Sequence, residues 1–180
     1  MCVDPTAGPA RGIRGSDGAV AIDADEYRKI IGSFATGVAV VTTNVDGMLH
    51  GFTANAVSSL SLEPLMLLVC VDKRARALEE LRKATAFGVS ILSRDQEDVS
   101  NTFAMRGDPA EGALRDVPFT LGISGVPLLK DAVAGLECRM AEHLEGGDHI
   151  IVLGEVLEGA ILSEAPPLLY YQGKYRAIGS

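Results

Sequence analysis

The sequence predicts a mainly β protein with helices at its periphery, folded as a small closed β-barrel. Several short segments rich in β-branched residues are separated by turn signals such as Asp46-Gly47 and Gly146-Gly147. Helical periodicity is confined to a few short stretches. No strand-like segment is followed by the Gly-x-Gly-x-x-Gly pattern of a dinucleotide-binding βαβ unit. Together these observations favour an antiparallel barrel over an alternating α/β sheet.

The chain divides into a flexible N-terminal arm, residues 1–22, and one domain, residues 23–180. The arm is rich in Gly, Pro, Ala and Arg and has no hydrophobic period. Asp23 and Glu26 then have the spacing of a capping box, which predicts a helix that ends at Gly37 or shortly before it. The inward face of that helix would be formed by Tyr27, Ile30, Ile31 and Phe34.

The next segments predict two strands, a buried strand and a short helix. Residues 38–43 are β-branched, and the turn at Asp46-Gly47 predicts a hairpin with the segment that follows. Residues 65–71 are almost wholly apolar, as expected of a strand covered on both faces. Residues 75–83 predict a helix with Leu78 and Leu81 facing inward.

The second half continues with a strand, a helix and a long hairpin. Residues 87–92 predict a strand, and a second capping box, Ser93 with Gln96, opens a helix on which Val99 and Phe103 share a face. Residues 106–113 are interpreted as a loop. Alternating residues on either side of Gly146-Gly147 predict two long antiparallel strands, and a last short strand precedes a turn at Gly173.

Composition excludes several classes of protein. With 180 residues, 47% hydrophobic and 22% charged, the chain can bury one core. Its net charge of -8 and dispersed basic residues argue against nucleic-acid binding. No apolar run is long enough for a membrane span or a secretory signal, so we expect a cytoplasmic protein. Three widely spaced cysteines predict neither a disulfide framework nor a metal site.

The residue types favour chemistry carried by a bound cofactor. With three histidines, no Ser/His/Asp or Cys/His spacing indicates a nucleophilic triad. Residues 50–64 combine strand-forming residues with small hydroxyls and Asn55, so a flat ligand can approach their backbone. Hydride transfer suits such a chain, because the cofactor holds the electrons and the protein supplies position and electrostatics.

Three segments carry a family resemblance when they are taken in order. They are residues 33–43, residues 50–72, and Gly147-Asp148-His149 followed by an apolar strand and Gly154-Glu155-Val156. Over about residues 25–178 the chain resembles the flavin reductase family, the reductase components of two-component monooxygenases. The resemblance implies an FMN-binding split β-barrel, an antiparallel Greek-key fold, that forms a homodimer. It also implies FAD or FMN near the dimer interface, NADH or NADPH as hydride donor, and a separate flavin-dependent monooxygenase that receives reduced flavin.

The resemblance places the flavin ring against one stretch of backbone. The implied contacts are Thr53, Ala54, Asn55, Ser58 and Ser59, with Thr36 from the neighbouring strand. Backbone N–H groups there would stabilise negative charge on the reduced ring. The alternative is that these are ordinary strand residues and that Thr36 caps backbone.

Phosphate binding is assigned to the basic residues that follow the apolar strand. Lys73, Arg74 and Arg76 offer cations at that point, although they would also suit a solvated helix start. Family members often carry Ser or Thr in this loop, whereas Ala75 and Ala77 have no hydroxyl. The choice between FMN and FAD, like that between NADH and NADPH, therefore stays open.

His149 is the candidate catalytic residue. The resemblance places it near flavin and nicotinamide, where the imidazole would orient hydride transfer; alternatively it only flanks a turn. Phe103 either covers the flavin or fills the core. Tyr171 and Tyr175 either line the nicotinamide side or pack the barrel. Three further residues are expected outside the site: His50 and His143 at the surface, and Cys70 in the core.

Two functions fit these features. The first is an NAD(P)H-dependent flavin reductase that supplies reduced flavin to a monooxygenase. The second is a flavin-binding split-barrel protein that acts as a carrier or sensor without turnover, since one scaffold hosts several functions. The motif Gly147-Asp148-His149 favours the reductase, because a carrier needs no histidine facing a nicotinamide.

Overall fold

A computed structural model describes residues 22–104 and 114–178. The predicted N-terminal arm, except Ile22, and the predicted 106–113 loop lie outside the described residues. The elements, in chain order, are α1 (Ala24–Ile31), β1 (Thr36–Gly37), β2 (Ala39–Val45), β3 (Met48–Ala54), β4 (Val57–Leu62), β5 (Leu65–Asp72), α2 (Ala77–Lys83), β6 (Ala86–Ile91), α3 (Glu97–Ala104), β7 (Phe119–Leu121), β8 (Pro127–Leu129), β9 (Ala134–Gly146), β10 (His149–Ile161), β11 (Leu169–Tyr171) and β12 (Lys174–Arg176).

The architecture is a curled antiparallel sheet with small additions. Seven strands pair in the order β3-β2-β6-β9-β10-β5-β4, and two further sheets are formed by β1-β11-β12 and β7-β8. Strand β3, at one end of the large sheet, contacts β5, the second strand from the other end, so the sheet bends round towards closure. The prediction of a mainly β protein, a split β-barrel with antiparallel strands, is confirmed.

The turn signals define the hairpins. Asp46 and Gly47 have φ of 53° and 85°, the positive values that a tight β-hairpin turn of type I′ requires, and they join β2 to β3. Gly147, with φ of 71°, lies in the turn between β9 and β10, which are 13 residues each. The long hairpin was therefore predicted correctly, as was the turn at Gly173, which has φ of 73° and joins β11 to β12.

Two hydrophobic clusters hold the sheet. One lies inside the curl and includes Val69, Phe87 and Ile150, all nearly inaccessible. Gly154 leaves space for Phe87, because a Cβ at this position would lie 2.3 Å from the Phe87 Cζ. The other cluster packs α3 and the C-terminal segment on the opposite face of the sheet and includes Phe103. The second cluster thus packs α3 and the C-terminal segment firmly against the barrel.

Helix α1 begins as predicted, but the prediction of its buried face is wrong. The Asp23 carboxylate accepts hydrogen bonds from the N–H groups of Asp25 and Glu26 at 2.9 and 2.8 Å. The helix ends at Ile31, because the chain must turn before β1 pairs with β11. No residue of α1 is buried, and the predicted inward face is at least half exposed: Tyr27, Ile30, Ile31 and Phe34. Amphipathic periodicity here marks an apolar face that residues 22–104 and 114–178 leave uncovered.

Strand β5 also departs from the prediction. Leu67 and Val69 are buried, whereas the alternate residues Met66, Leu68 and Cys70 are partly exposed. The prediction that both faces are covered is therefore wrong for the outer face, and Cys70 is not the core residue expected. Within the described residues, no helix is long and apolar enough to cross a membrane.

Candidate active site

A large cleft, which we call the main cleft, has a volume of about 1220 Å³. Its walls are β3, the segment 72–76 that begins with the last residue of β5, helix α2, the end of α3, and the β11–β12 pair. We call the segment 72–76 the rim loop. The predicted site residues that line the main cleft are Thr53, Asn55, Lys73, Arg74, Arg76, Phe103 and Tyr175. The fold therefore brings part of the predicted ring-binding stretch, Thr53 and Asn55, to the same surface as the predicted phosphate-binding cations.

A second depression, the apolar groove, lies along β4. It has a volume of about 440 Å³ and is lined by residues from β4, β5 and the inner strands. Three predicted flavin contacts, Ala54, Ser58 and Ser59, line this groove and not the main cleft. Asn55 borders both depressions. The predicted stretch is thus divided between two surfaces that meet at Asn55.

Three predicted site residues line neither depression among the described residues: Thr36, His149 and Tyr171. Thr36 is instead linked to a cleft residue, since its hydroxyl accepts a hydrogen bond from the Asn55 amide at 3.4 Å. Tyr170, which sequence reasoning missed, lines the main cleft next to Tyr175. Successive side chains of a strand point to opposite faces, so Tyr170 and Tyr171 face different ways.

One wall of the main cleft is fixed by side-chain contacts. The Thr53 hydroxyl donates to the Ser100 carbonyl of α3 at 2.6 Å, and the Ser100 hydroxyl lies 2.8 Å from the Tyr175 hydroxyl. The Tyr175 and Tyr170 rings meet edge to face, with centroids 5.6 Å apart. These contacts hold β3, α3 and β12 in fixed positions.

Phe103 is both a core residue and part of the cleft wall. Its side chain is buried in the outer cluster, and its ring lies close against Gly51 of β3. A Cβ at position 51 would lie 2.8 Å from the ring, so glycine is needed for this approach. The result is an apolar wall beside the exposed side of β3.

Two basic residues of the rim loop, Lys73 and Arg74, are paired with carboxylates. The Lys73 ammonium bonds to Glu145 of β9. The Arg74 guanidinium contacts both oxygens of Asp72, with Nε at 3.1 Å and Nη2 at 2.8 Å. These bonds hold the pKa of Asp72 well below its usual range. The loop therefore offers cations to the cleft from positions that are already ordered.

His149 lies beside the rim loop and outside the lining of the main cleft. It pairs with Asp72 across the β10–β5 ladder. Its Nδ1 is 2.7 Å from the Asp148 carboxylate, a contact that lowers the pKa of Asp148. The side chain is 41% exposed, so one side of the ring is accessible to a ligand.

The expectation that His50 and His143 are surface residues is wrong. The His50 side chain is 18% exposed and its Nε2 lies 3.9 Å from Glu80, in the wall of the main cleft. The Nε2 of His143 is also buried. Burial and the nearby Arg82 lower the pKa of His143. The sequence alone did not place these residues, because the groups near them, Glu80 for His50 and Arg82 for His143, lie on α2, which comes from elsewhere in the chain.

The thiols and acidic groups give no sign of other chemistry. Burial raises the pKa of Cys70, and burial with the neighbouring Glu137 raises the pKa of Cys138 to about 12. Both thiols are thus in their protonated, poorly nucleophilic form near neutral pH. Among the described residues, no group of three or more His, Cys, Asp or Glu side chains is arranged to hold a metal ion.

Comparison with known families accounts for this arrangement. Residues 31–179 match the sequence model of the flavin reductase like domain. The chain belongs to the flavin reductase family. A probable flavin reductase of Rhizobium meliloti is 44% identical over 135 residues, which cover 74% of this chain and 42% of that protein. The chain thus spans less than half of that relative.

Two other relatives match over most of their own length. The reductase component of a 4-nitrophenol 4-monooxygenase from Rhodococcus opacus is 39% identical over 154 residues, covering 86% of this chain and 80% of that protein. The solved structure of an NADH:FAD oxidoreductase from Streptomyces globisporus, in complex with NAD and FAD fragments, is 36% identical. It superposes with a TM-score of 0.81, over 87% of this chain and 93% of that one.

Proposed function

We propose that this flavin reductase family member transfers a hydride from NADH or NADPH to FAD or FMN and passes the reduced flavin to a separate monooxygenase. The observation that carries the proposal is the main cleft, in which an apolar wall and a basic rim loop face one space. A flavin nucleotide has the matching parts, a flat ring system and at least one phosphate. Family membership and relatives that act as reductases support the same conclusion.

The cleft residues fit a flavin. The proposed ring site lies between the wall formed by β3 and Phe103 and the edge at Asn55. The Thr53 hydroxyl donates to Ser100, so Thr53 would meet the ring through its backbone and not through its side chain. The flavin phosphate would bind at the rim loop, where Lys73, Arg74 and Arg76 line the cleft.

Residues of this chain would position the two rings, and the bound flavin supplies the hydride acceptor. The Asp148 carboxylate holds the His149 imidazole at 2.7 Å, which limits its rotation. We assign His149 the role of orienting the nicotinamide at the cleft edge, and Tyr175 and Tyr170 the role of closing the other end. Orientation of this kind contributes strongly to rate when no acid or base is needed.

We propose that a second copy of the chain covers the apolar groove. Leu62, at the end of β4, is 82% exposed, and Leu65 at the start of β5 is 52% exposed. Helix α1 adds a further apolar face with no buried residue. A homodimer through these surfaces would cover Ser58 and Ser59 of the groove and place a second chain beside the ring site at Asn55, where the two depressions meet.

The test is oxidation of reduced nicotinamide by the purified protein. NADH or NADPH is followed by its absorbance, separately with FMN, FAD and riboflavin. Flavin-dependent oxidation supports the reductase and identifies both preferences. Flavin binding without oxidation would instead favour a carrier or sensor.

A further inference from the structure

Lys73 is shared between the main cleft and a carboxylate outside it. Its side chain lines the cleft, while its ammonium bonds to Glu145 of strand β9. Glu145 is not a cleft residue, and its side chain is 74% exposed. The pair joins two segments 72 residues apart in sequence. A resident anion therefore holds the cation that faces the proposed phosphate position.

The surroundings of Glu145 are cationic. Lys73 and, to a smaller extent, Arg82 of α2 lower the pKa of Glu145, so the group is ionised near neutral pH. Arg82 also lines the main cleft. Glu145 thus neutralises positive charge on the side of the cleft that would receive a phosphate.

We propose that Glu145 competes with the flavin phosphate for Lys73 and thereby weakens flavin binding enough for the reduced flavin to leave. The proposal rests on the function proposed above and on phosphate binding at the rim loop. An ammonium group is a compact charge, and a phosphate that approaches it must displace the carboxylate or lie beside it. Like charges at that distance repel, so each anion lowers the affinity of the site for the other.

The competition predicts a specific pattern of affinities. Because the competing contact is a single exposed ion pair, Glu145→Gln should tighten FMN binding by roughly 1.4- to fivefold. Riboflavin, which has the ring but no phosphate, should bind the variant and the unaltered protein equally. On a Lys73→Ala background, Glu145→Gln should have no effect on FMN, since the shared partner is absent.

The experiment is an equilibrium titration of FMN and riboflavin, followed by flavin fluorescence, with Glu142→Gln as control. Glu142 lies on the same strand and is exposed, so this substitution removes the same charge nearby. Tighter FMN binding in Glu145→Gln alone, together with slower FMN release in stopped flow, supports the proposal.

Two results would overturn it. If Glu142→Gln and Glu145→Gln changed FMN affinity equally, the change would be explained by net charge and not by competition for Lys73. An equal gain for riboflavin would show that the phosphate is not the group in competition. In both cases nicotinamide oxidation by the unaltered protein keeps the proposed function intact. If the unaltered protein binds no flavin, the proposed function fails as well.

Discussion

His149 lies opposite Asp72 in the β10–β5 ladder, so the turn that carries the family motif is fixed beside the rim loop. A second bond strengthens this link, since the Lys73 N–H donates to the Asp148 carbonyl at 3.0 Å. The proposed nicotinamide-orienting residue and the proposed phosphate-binding residues therefore belong to one rigid unit. Substituting the nicotinamide-orienting residue and the phosphate-binding residues separately can show which role each of them has.

Replacement of His149 by alanine is expected to slow hydride transfer by roughly tenfold or more, because orientation of reactants contributes on this scale. Flavin affinity should change much less, since His149 does not line the main cleft. Single-turnover kinetics give the rate, and a fluorescence titration gives the affinity. Unchanged turnover would remove His149 from the site.

The double substitution of Lys73 and Arg76 by alanine is expected to weaken FMN binding in a salt-sensitive way. Riboflavin binding should be little affected. The control, Arg94→Ala with Lys130→Ala, also removes one arginine and one lysine, both exposed and outside the main cleft. An FMN dissociation constant equal to that of the control pair would contradict phosphate binding at the rim loop.

Gly154→Ala tests the packing inside the barrel. The new methyl group would lie 2.3 Å from Phe87, a fully buried residue, so we expect a loss of about 1–3 kcal/mol in the free energy of unfolding. Gly37→Ala is the control, because its Cβ would meet no atom within 4 Å. Urea denaturation measures the free energy of unfolding of both variants. Equal stability would show that the residues around Gly154 can shift to accommodate the methyl group.

Leu62→Asp tests the proposed dimer. A charge on the apolar groove should prevent association, because it would be buried without a partner. We expect a dimer for the unaltered protein and a monomer for the variant in light scattering after gel filtration. Ile123→Asp makes the same change at another exposed apolar position, 73% exposed, and should remain dimeric. A monomeric unaltered protein would refute the proposal.

His143 should make stability depend on pH. Burial and Arg82 lower its pKa in the folded protein, so the unfolded chain binds the proton more readily. Its contribution is complete above the ordinary histidine pKa of about 6.5 and is lost as pH falls below that value. The urea concentration at the midpoint of unfolding should therefore decrease when the pH is lowered from about 8 to about 5.5. The decrease should be smaller in His143→Gln. An identical pH profile in the variant would assign the effect elsewhere.

Local features of the sequence predicted the strands and their turns well. Asp46-Gly47 and Gly147 need positive φ, and alternation alone defines the long hairpin. What covers an apolar face was less predictable. The face of α1 and the outer face of β5 have apolar residues, yet the described part of the chain leaves the first exposed and covers the second only partly. Periodicity reveals that a face is apolar but not which molecule covers it.

Only part of the site was predicted, and the reason is related. Residues 53–59 are continuous in sequence, but the chain divides them between the main cleft and the apolar groove. Tyr170 was missed because the choice between it and Tyr171 depends on which face of a three-residue strand points inward. Glu145 joins Lys73 only through the fold, and no local pattern connects two residues so far apart.

The most direct test of the central claim is an anaerobic titration of protein-bound flavin with NADH or NADPH. Without oxygen, one nicotinamide should be consumed for each flavin that loses its oxidised absorption, and this should need the protein. Such a stoichiometric, protein-dependent reduction is the result that we predict. Bound flavin that keeps its oxidised spectrum in the presence of excess NADH and excess NADPH would contradict the reductase function.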